Sequence, residues 1–208
     1  MKNSYSSKYN FPKFTSNGFK VIKCPEPAWG IIKDAYSLLK DKEVEEKFVG
    51  KESIIRGEGT TSNILNFDII PNIKNLIHHQ LLDTHKEWCN TNIEPSLVYG
   101  IRSYKKGAIL ASHVDRIKTH HIASIIMVDK DLDGGSDWAL EIQDHQGNWN
   151  KIYSQPGDMI LYESAVCEHS RKHPFQGKFY NNFYLHYKLS DWTYSVKQST
   201  SNAGGKLI

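Results

Sequence analysis

The sequence predicts an α+β protein, mainly β, with helices on the N-terminal side of a sandwich or jelly-roll barrel. Apolar residues recur at helical spacing in two N-terminal stretches. From Leu97 onward the pattern changes to short strands. They are punctuated at Lys105-Lys106-Gly107, Asp133-Gly134-Gly135, His145-Gln146-Gly147 and Gln155-Pro156-Gly157-Asp158. At 208 residues the chain has the length of one domain. Hydrophobic residues reach only 39%, but aromatics reach 12%, and large rings bury much area each.

Taken in order, residues 1–18 are polar and rich in Lys, Ser and Asn, and read as a flexible tail. Residues 19–196 read as a single domain, with 19–96 as helical support and 97–188 as the barrel core; 197–208 read as a second tail. The first helix should begin near Pro27, an early-helix proline. Ala28, Trp29, Ile31, Ile32, Ala35, Tyr36, Leu38 and Leu39 then form its apolar side. A second helix should follow Pro71, with Ile73, Ile77 and Leu81 at intervals of four and Leu76, Leu82, Trp88 and Cys89 widening that face. His78, His79 and His85 lie on it and are expected to be part-exposed or packed, with no ligand role. The strands should be Leu97–Tyr104, Ile109–Asp115, His121–Val128, Ala139–Asp144, Asn150–Tyr153, Asp158–Tyr162, Glu168–Arg171 and Phe179–Lys188.

Lys+Arg 26 against Asp+Glu 23 leaves a net charge of +3, and no basic stripe is visible. That disfavours nucleic acid as a partner. Cys24, Cys89 and Cys167 make neither a paired framework nor a zinc knuckle, which points to a reducing compartment. The first eighteen residues lack the apolar stretch of a secretory leader, and the near-apolar run Ile122–Val128 is too short to cross a bilayer. The expectation is a soluble, cytoplasmic protein without a membrane partner. Oligomeric state is not legible.

His113-Val114-Asp115 is a His-x-Asp; on a strand, residues two apart point to one face. Such a triplet is common by chance and carries little alone. A third ligand changes that, because two histidines and a carboxylate on one face of a metal form the facial triad of non-haem iron(II) oxygenases. His169, 56 positions after His113, is the candidate. The stretches Tyr99-Gly100-Ile101-Arg102-Ser103-Tyr104, His113-Val114-Asp115, Pro156-Gly157-Asp158-Met159-Ile160-Leu161-Tyr162-Glu163-Ser164 and Cys167-Glu168-His169-Ser170-Arg171 fit one pattern in order and spacing. Together the chain resembles the 2-oxoglutarate/Fe(II)-dependent dioxygenases, closest to the prolyl 4-hydroxylase-like branch. The likeness covers roughly residues 97–188.

That resemblance implies a double-stranded β-helix core, with Fe(II) held by His113, Asp115 and His169. It implies 2-oxoglutarate and dioxygen as co-substrates, with ascorbate as a further candidate. The far carboxylate of 2-oxoglutarate would need a cation and a hydroxyl. Lys178, nine positions after His169, matches the family cation; Arg171 and Arg102 are rivals. Tyr104, nine positions before His113, matches the family tyrosine. Tyr180, Asn182, Tyr184 and His186 share a strand face with Lys178 and would form a polar inner wall. His120, His121, His145 and His173 are discounted as ligands, and Arg116 is a candidate to orient Asp115. Ile125 and Met127 read as core or apolar wall, and Asp129–Trp138 as a lid or a plain turn. The implied reaction is hydroxylation of a peptidyl or free amino-acid side chain, proline foremost, coupled to decarboxylation of 2-oxoglutarate to succinate and CO2. Its partners would then be peptides, proteins or amino acids. The alternatives are a non-catalytic, cupin-like module binding a metal or small ligand, and an oxidative demethylase of nucleic-acid bases.

Overall fold

Pro27 precedes α1 (Ala28–Leu39), whose Ala28, Ile32, Ala35 and Leu39 are buried. The stripe predicted for this helix is narrower than its apolar residues suggested, since Leu38 is 66% exposed. α2 (Ile73–Cys89) buries Ile73, Ile77, Leu81 and Cys89, together with His78 and His85. The computed structural model describes residues 11–46, 54–59 and 61–191.

Among the described residues, a 3-10 turn at Phe67–Ile69 and twelve strands make the other elements: β1 (Phe19–Lys23), β2 (Val44–Glu45), β3 (Ile55–Arg56), β4 (Ser62–Leu65), β5 (Ile93–Lys105), β6 (Ile109–His113), β7 (Ile122–Asp131), β8 (Leu140–Gln143), β9 (Trp149–Ile152), β10 (Asp158–Tyr162), β11 (His169–Arg171) and β12 (Phe179–Leu189). They form a seven-stranded sheet, β1-β10-β7-β12-β5-β4-β2, and a five-stranded sheet, β3-β6-β11-β8-β9. The pairings are antiparallel. This is the jelly-roll arrangement, α+β and mainly β.

Alternation along the strands gives the large sheet two buried faces. Ile101, Ile126, Phe183, Leu185 and Tyr187 face outward with α1 and α2, in the cluster that holds Ile32, Leu39, Ile77 and Leu81. Tyr104, Ile125, Met127, Ile160, Tyr162, Tyr180 and Tyr184 face inward and meet Leu110, Trp138, Leu140, Ile142 and Phe175. One bulge matters to the interior. Tyr184 pairs with Gly100 and Leu185 with Val98, so Tyr99 is the extra residue of β5. Gly100 takes φ +103°, and a Cβ there would stand 2.6 Å from the Leu65 carbonyl oxygen. The kink lets Tyr99 and Arg102 both reach the inner side.

Two expectations need correction. The N-terminal half is not wholly helical: it supplies four strands, of which β2 and β3 have two residues each, too few to show a period. The first tail does not extend to residue 18 as free chain. Phe14 and Thr15 donate backbone N–H groups to Glu163 at 3.0 and 2.8 Å, and the Thr15 hydroxyl donates to it at 2.7 Å. Residues 1–10 of that tail, and the second tail at 197–208, lie outside the described residues.

Candidate metal centre

β6 and β11 are neighbours in the small sheet, and their register sets His113 directly opposite His169. Their imidazole rings lie 4.3 Å apart between centroids. Asp115 follows β6, its backbone N–H fixed on the Ser164 carbonyl at 2.8 Å. One ligand atom from each of His113, Asp115 and His169 lies within 4.8 Å of the other two.

The hydrogen bonds set the chemistry of these rings. His113 Nδ1 lies 2.8 Å from the Ala111 carbonyl and His169 Nδ1 3.0 Å from the Cys167 carbonyl. A carbonyl only accepts, so each Nδ1 carries a proton and Nε2 is the nitrogen left to face the site. Those two Nε2 atoms face Asp115 Oδ1, at 3.6 and 4.0 Å. Burial, reinforced by His113, pushes His169 down to about 4, so it is neutral at physiological pH. Burial alone would raise the Asp115 carboxyl. The hydrogen bond from His186 and the surrounding imidazoles outweigh it and hold the group well below the usual carboxylate range. Two imidazole nitrogens and one carboxylate are a donor set that suits divalent iron.

Arg171 stands two residues beyond His169 on the same strand and is only 1% exposed. Its guanidinium stacks over Trp138 at 4.8 Å and Tyr180 at 4.6 Å and donates to the Trp138 carbonyl. Its Nε has no partner, and among the described residues no carboxylate pairs with it. A buried cation without a counter-ion is costly, and a bound anion would relieve that cost. The unpartnered Tyr180 hydroxyl and both amide atoms of Asn182 add polar capacity inside the barrel. Tyr104 is fully buried, its hydroxyl 3.0 Å from that of Tyr184.

The other two cations predicted for this role are committed elsewhere. Lys178 precedes β12 rather than lying in it, its side chain is 62% exposed, and its ammonium pairs with Asp131 and Asp133 at 3.4 Å each. It therefore does not join the inner face of Tyr180, Asn182, Tyr184 and His186. Arg102 is held by Glu46 through two bonds of 2.5 and 2.6 Å.

The remaining histidines divide clearly. His121 donates from Nε2 to the Ile117 carbonyl at 2.7 Å and accepts the Leu189 N–H on Nδ1 at 2.9 Å. His145 faces Glu163 at 3.1 Å, and the His173 carbonyl receives the Trp138 indole N–H at 2.6 Å. On α2, His78 and His85 pack on Tyr187. Sequence reasoning assigned no site role to Trp138 or Tyr162; the latter lies within a motif stretch and its hydroxyl reaches Asp115. Arg116 makes no described contact with the Asp115 carboxylate. The Asp129–Trp138 segment is tethered, Lys130 bonding Asp137 at 2.6 Å and the Ser154 carbonyl at 2.8 Å. No helix among the described residues is long and apolar enough to cross a membrane.

No family model and no curated protein matches the chain. Solved structures do. A prolyl-4-hydroxylase from Pseudomonas putida aligns with a TM-score of 0.59 at 12% identity, over 82% of this chain and 93% of that one. A Trichoplax adhaerens prolyl hydroxylase, solved with a hypoxia inducible factor peptide fragment, gives 0.61 at 12%, over 90% and 89%. HygX from Streptomyces hygroscopicus, solved with nickel, 2-oxoglutarate and hygromycin B, gives 0.57 at 12%, over 86% of each chain. At such identities the likeness establishes a shared fold, the double-stranded β-helix of the 2-oxoglutarate/Fe(II) oxygenases.

Proposed function

We propose that the protein is an Fe(II)- and 2-oxoglutarate-dependent dioxygenase that hydroxylates an amino-acid side chain, with peptidyl proline the first substrate to test. One observation carries this reading. Two Nε2 atoms and one carboxylate oxygen converge near a buried arginine that has no counter-ion among the described residues. A binding barrel without chemistry needs no such pairing of donor set and anion seat. The fold it shares with a prolyl hydroxylase solved with a peptide fragment and with a protein solved with nickel, 2-oxoglutarate and hygromycin B supports the same class.

In this reading His113, Asp115 and His169 hold the iron, which activates dioxygen when bound. The carbonyls of Ala111 and Cys167 hold the Nδ1–H groups, so each ring turns Nε2 toward the ion. Arg171 and the hydroxyl of Tyr104 seat the far carboxylate of 2-oxoglutarate. Ile125, Met127 and Trp138 keep water from that seat. Among these residues none is asked to act as a general base.

Anaerobic addition of Fe(II) and 2-oxoglutarate should produce a weak visible charge-transfer band that is lost in His113→Ala. Succinate release should follow with a proline-rich peptide and vanish in Asp115→Ala. No band with the wild-type protein would overturn the reading. Succinate driven instead by free amino acids, aminoglycosides or single-stranded nucleic acid would replace the substrate and keep the chemistry.

A further inference from the structure

The two oxygens of Asp115 face different neighbours. Oδ1 looks toward the Nε2 atoms of His113 and His169. Oδ2 lies 3.3 Å from His186 Nε2 and 3.4 Å from the Tyr162 hydroxyl. His186 belongs to β12 in the large sheet, across the barrel interior from the strands that carry the histidine ligands.

A carboxylate only accepts, so His186 Nε2 carries the proton and donates it to Oδ2. The ring has little freedom to do otherwise. It lies 4.1 Å from the His120 ring and meets the edge of Tyr99 at 5.6 Å. Its backbone carbonyl faces His78 Nε2 of α2 at 3.2 Å, which ties this point of β12 to the helix layer. The residue is 4% exposed, and its Nδ1 has no partner among the described residues. A histidine kept inside a barrel with one nitrogen unsatisfied is poorly explained by packing alone. Its one described polar side-chain contact is with Asp115.

We infer that His186, aided by Tyr162, is a positioning residue for the metal centre: it engages Oδ2 so that Asp115 offers only Oδ1 to the ion. Without that bond the carboxylate turns or chelates through both oxygens, and affinity for the ion falls. This rests on the metal reading above and adds to it a residue from the opposite sheet.

Binding of Co(II) alone, followed by titration calorimetry and visible absorption, tests it without turnover. His186→Leu removes the donor, and affinity should fall about 10- to 100-fold, the usual cost of losing such a partner. His186→Gln places an amide nitrogen near the Nε2 position and should stay within about threefold of wild type by the same yardstick. Thermal unfolding of the metal-free variants shows whether fold stability has changed. Equal Co(II) affinity in wild type and His186→Leu would overturn the inference. So would His186→Gln as weak as His186→Leu, which would make the residue mere packing. Should the leucine variant not fold, His186→Asn takes its place. Its amide nitrogen falls short of Oδ2, and affinity equal to His186→Gln would again overturn the claim. A wild-type protein that binds no Co(II) would overturn the metal reading and this inference together.

Discussion

Arg171 is a guanidinium with aromatic faces on two sides and, among the described residues, no acid to neutralise it, whereas Lys178 is a solvated lysine with two acids beside it. The proposed co-substrate contact should divide accordingly. Arg171→Met should raise the KM for 2-oxoglutarate about 30-fold or more, since truncating one partner of a buried charge pair costs roughly 2–5 kcal/mol. Lys178→Ala should leave that KM within about twofold, as expected of an exposed pair. Succinate release against 2-oxoglutarate concentration measures both. Spacing from His169 cannot separate the two cations, because it counts positions along the chain. It does not register that β12 starts only at Phe179. The triad was legible for the opposite reason: His113 and Asp115 are two apart, and the third member lies on the neighbouring strand. His186 was legible only as an inner-face residue, because its partner is set by a contact between sheets that no local spacing encodes.

At the scale of elements, α2 carries a pH dependence. Burial pushes His85 and His78 down to about 4, against 6.5 for a free imidazole. Between those values the unfolded chain takes up protons that the folded one refuses. Stability is therefore fully present above pH 6.5 and is lost as pH falls toward 4. The unfolding temperature of the metal-free protein should drop steeply across that window. In His85→Leu the drop should be shallower, by at most on the order of 3 kcal/mol at pH 4 for this wholly buried ring. Both helices were readable from apolar period, but the burial of His78 and His85 was not. They widen the apolar face only because Tyr187 of β12 offers a ring to each. The β5 bulge was equally hidden: Gly100 in a strand hints at an irregularity, yet its need arises from the close Leu65 carbonyl.

Over the whole molecule, the segment at Phe14 and Thr15 is fastened to the barrel by one carboxylate. Glu163 is fully buried and takes bonds from Phe14, Thr15 and His145, while Gly18 and Cys167 touch beside it. Glu163→Ala strands those donors and should cost roughly 2–4 kcal/mol in urea unfolding. Limited proteolysis should then cut ahead of Gly18 while β12 stays intact. The eight C-terminal strands followed from turn residues and alternation, within a few residues at each end. The anchoring of Phe14 and Thr15 on Glu163 did not, since two of its donors are backbone N–H groups and Glu163 reads as part of a strand motif. The division of labour between the leaves of the sandwich has a mechanical side. His113, His169 and Arg171 stand on the small sheet, and Tyr104, Tyr184 and His186 on the large one. Asp115 faces His113 and His169 of one leaf and His186 of the other, so it sits like a rivet through two plates, at the place where contacts oppose their sliding past each other.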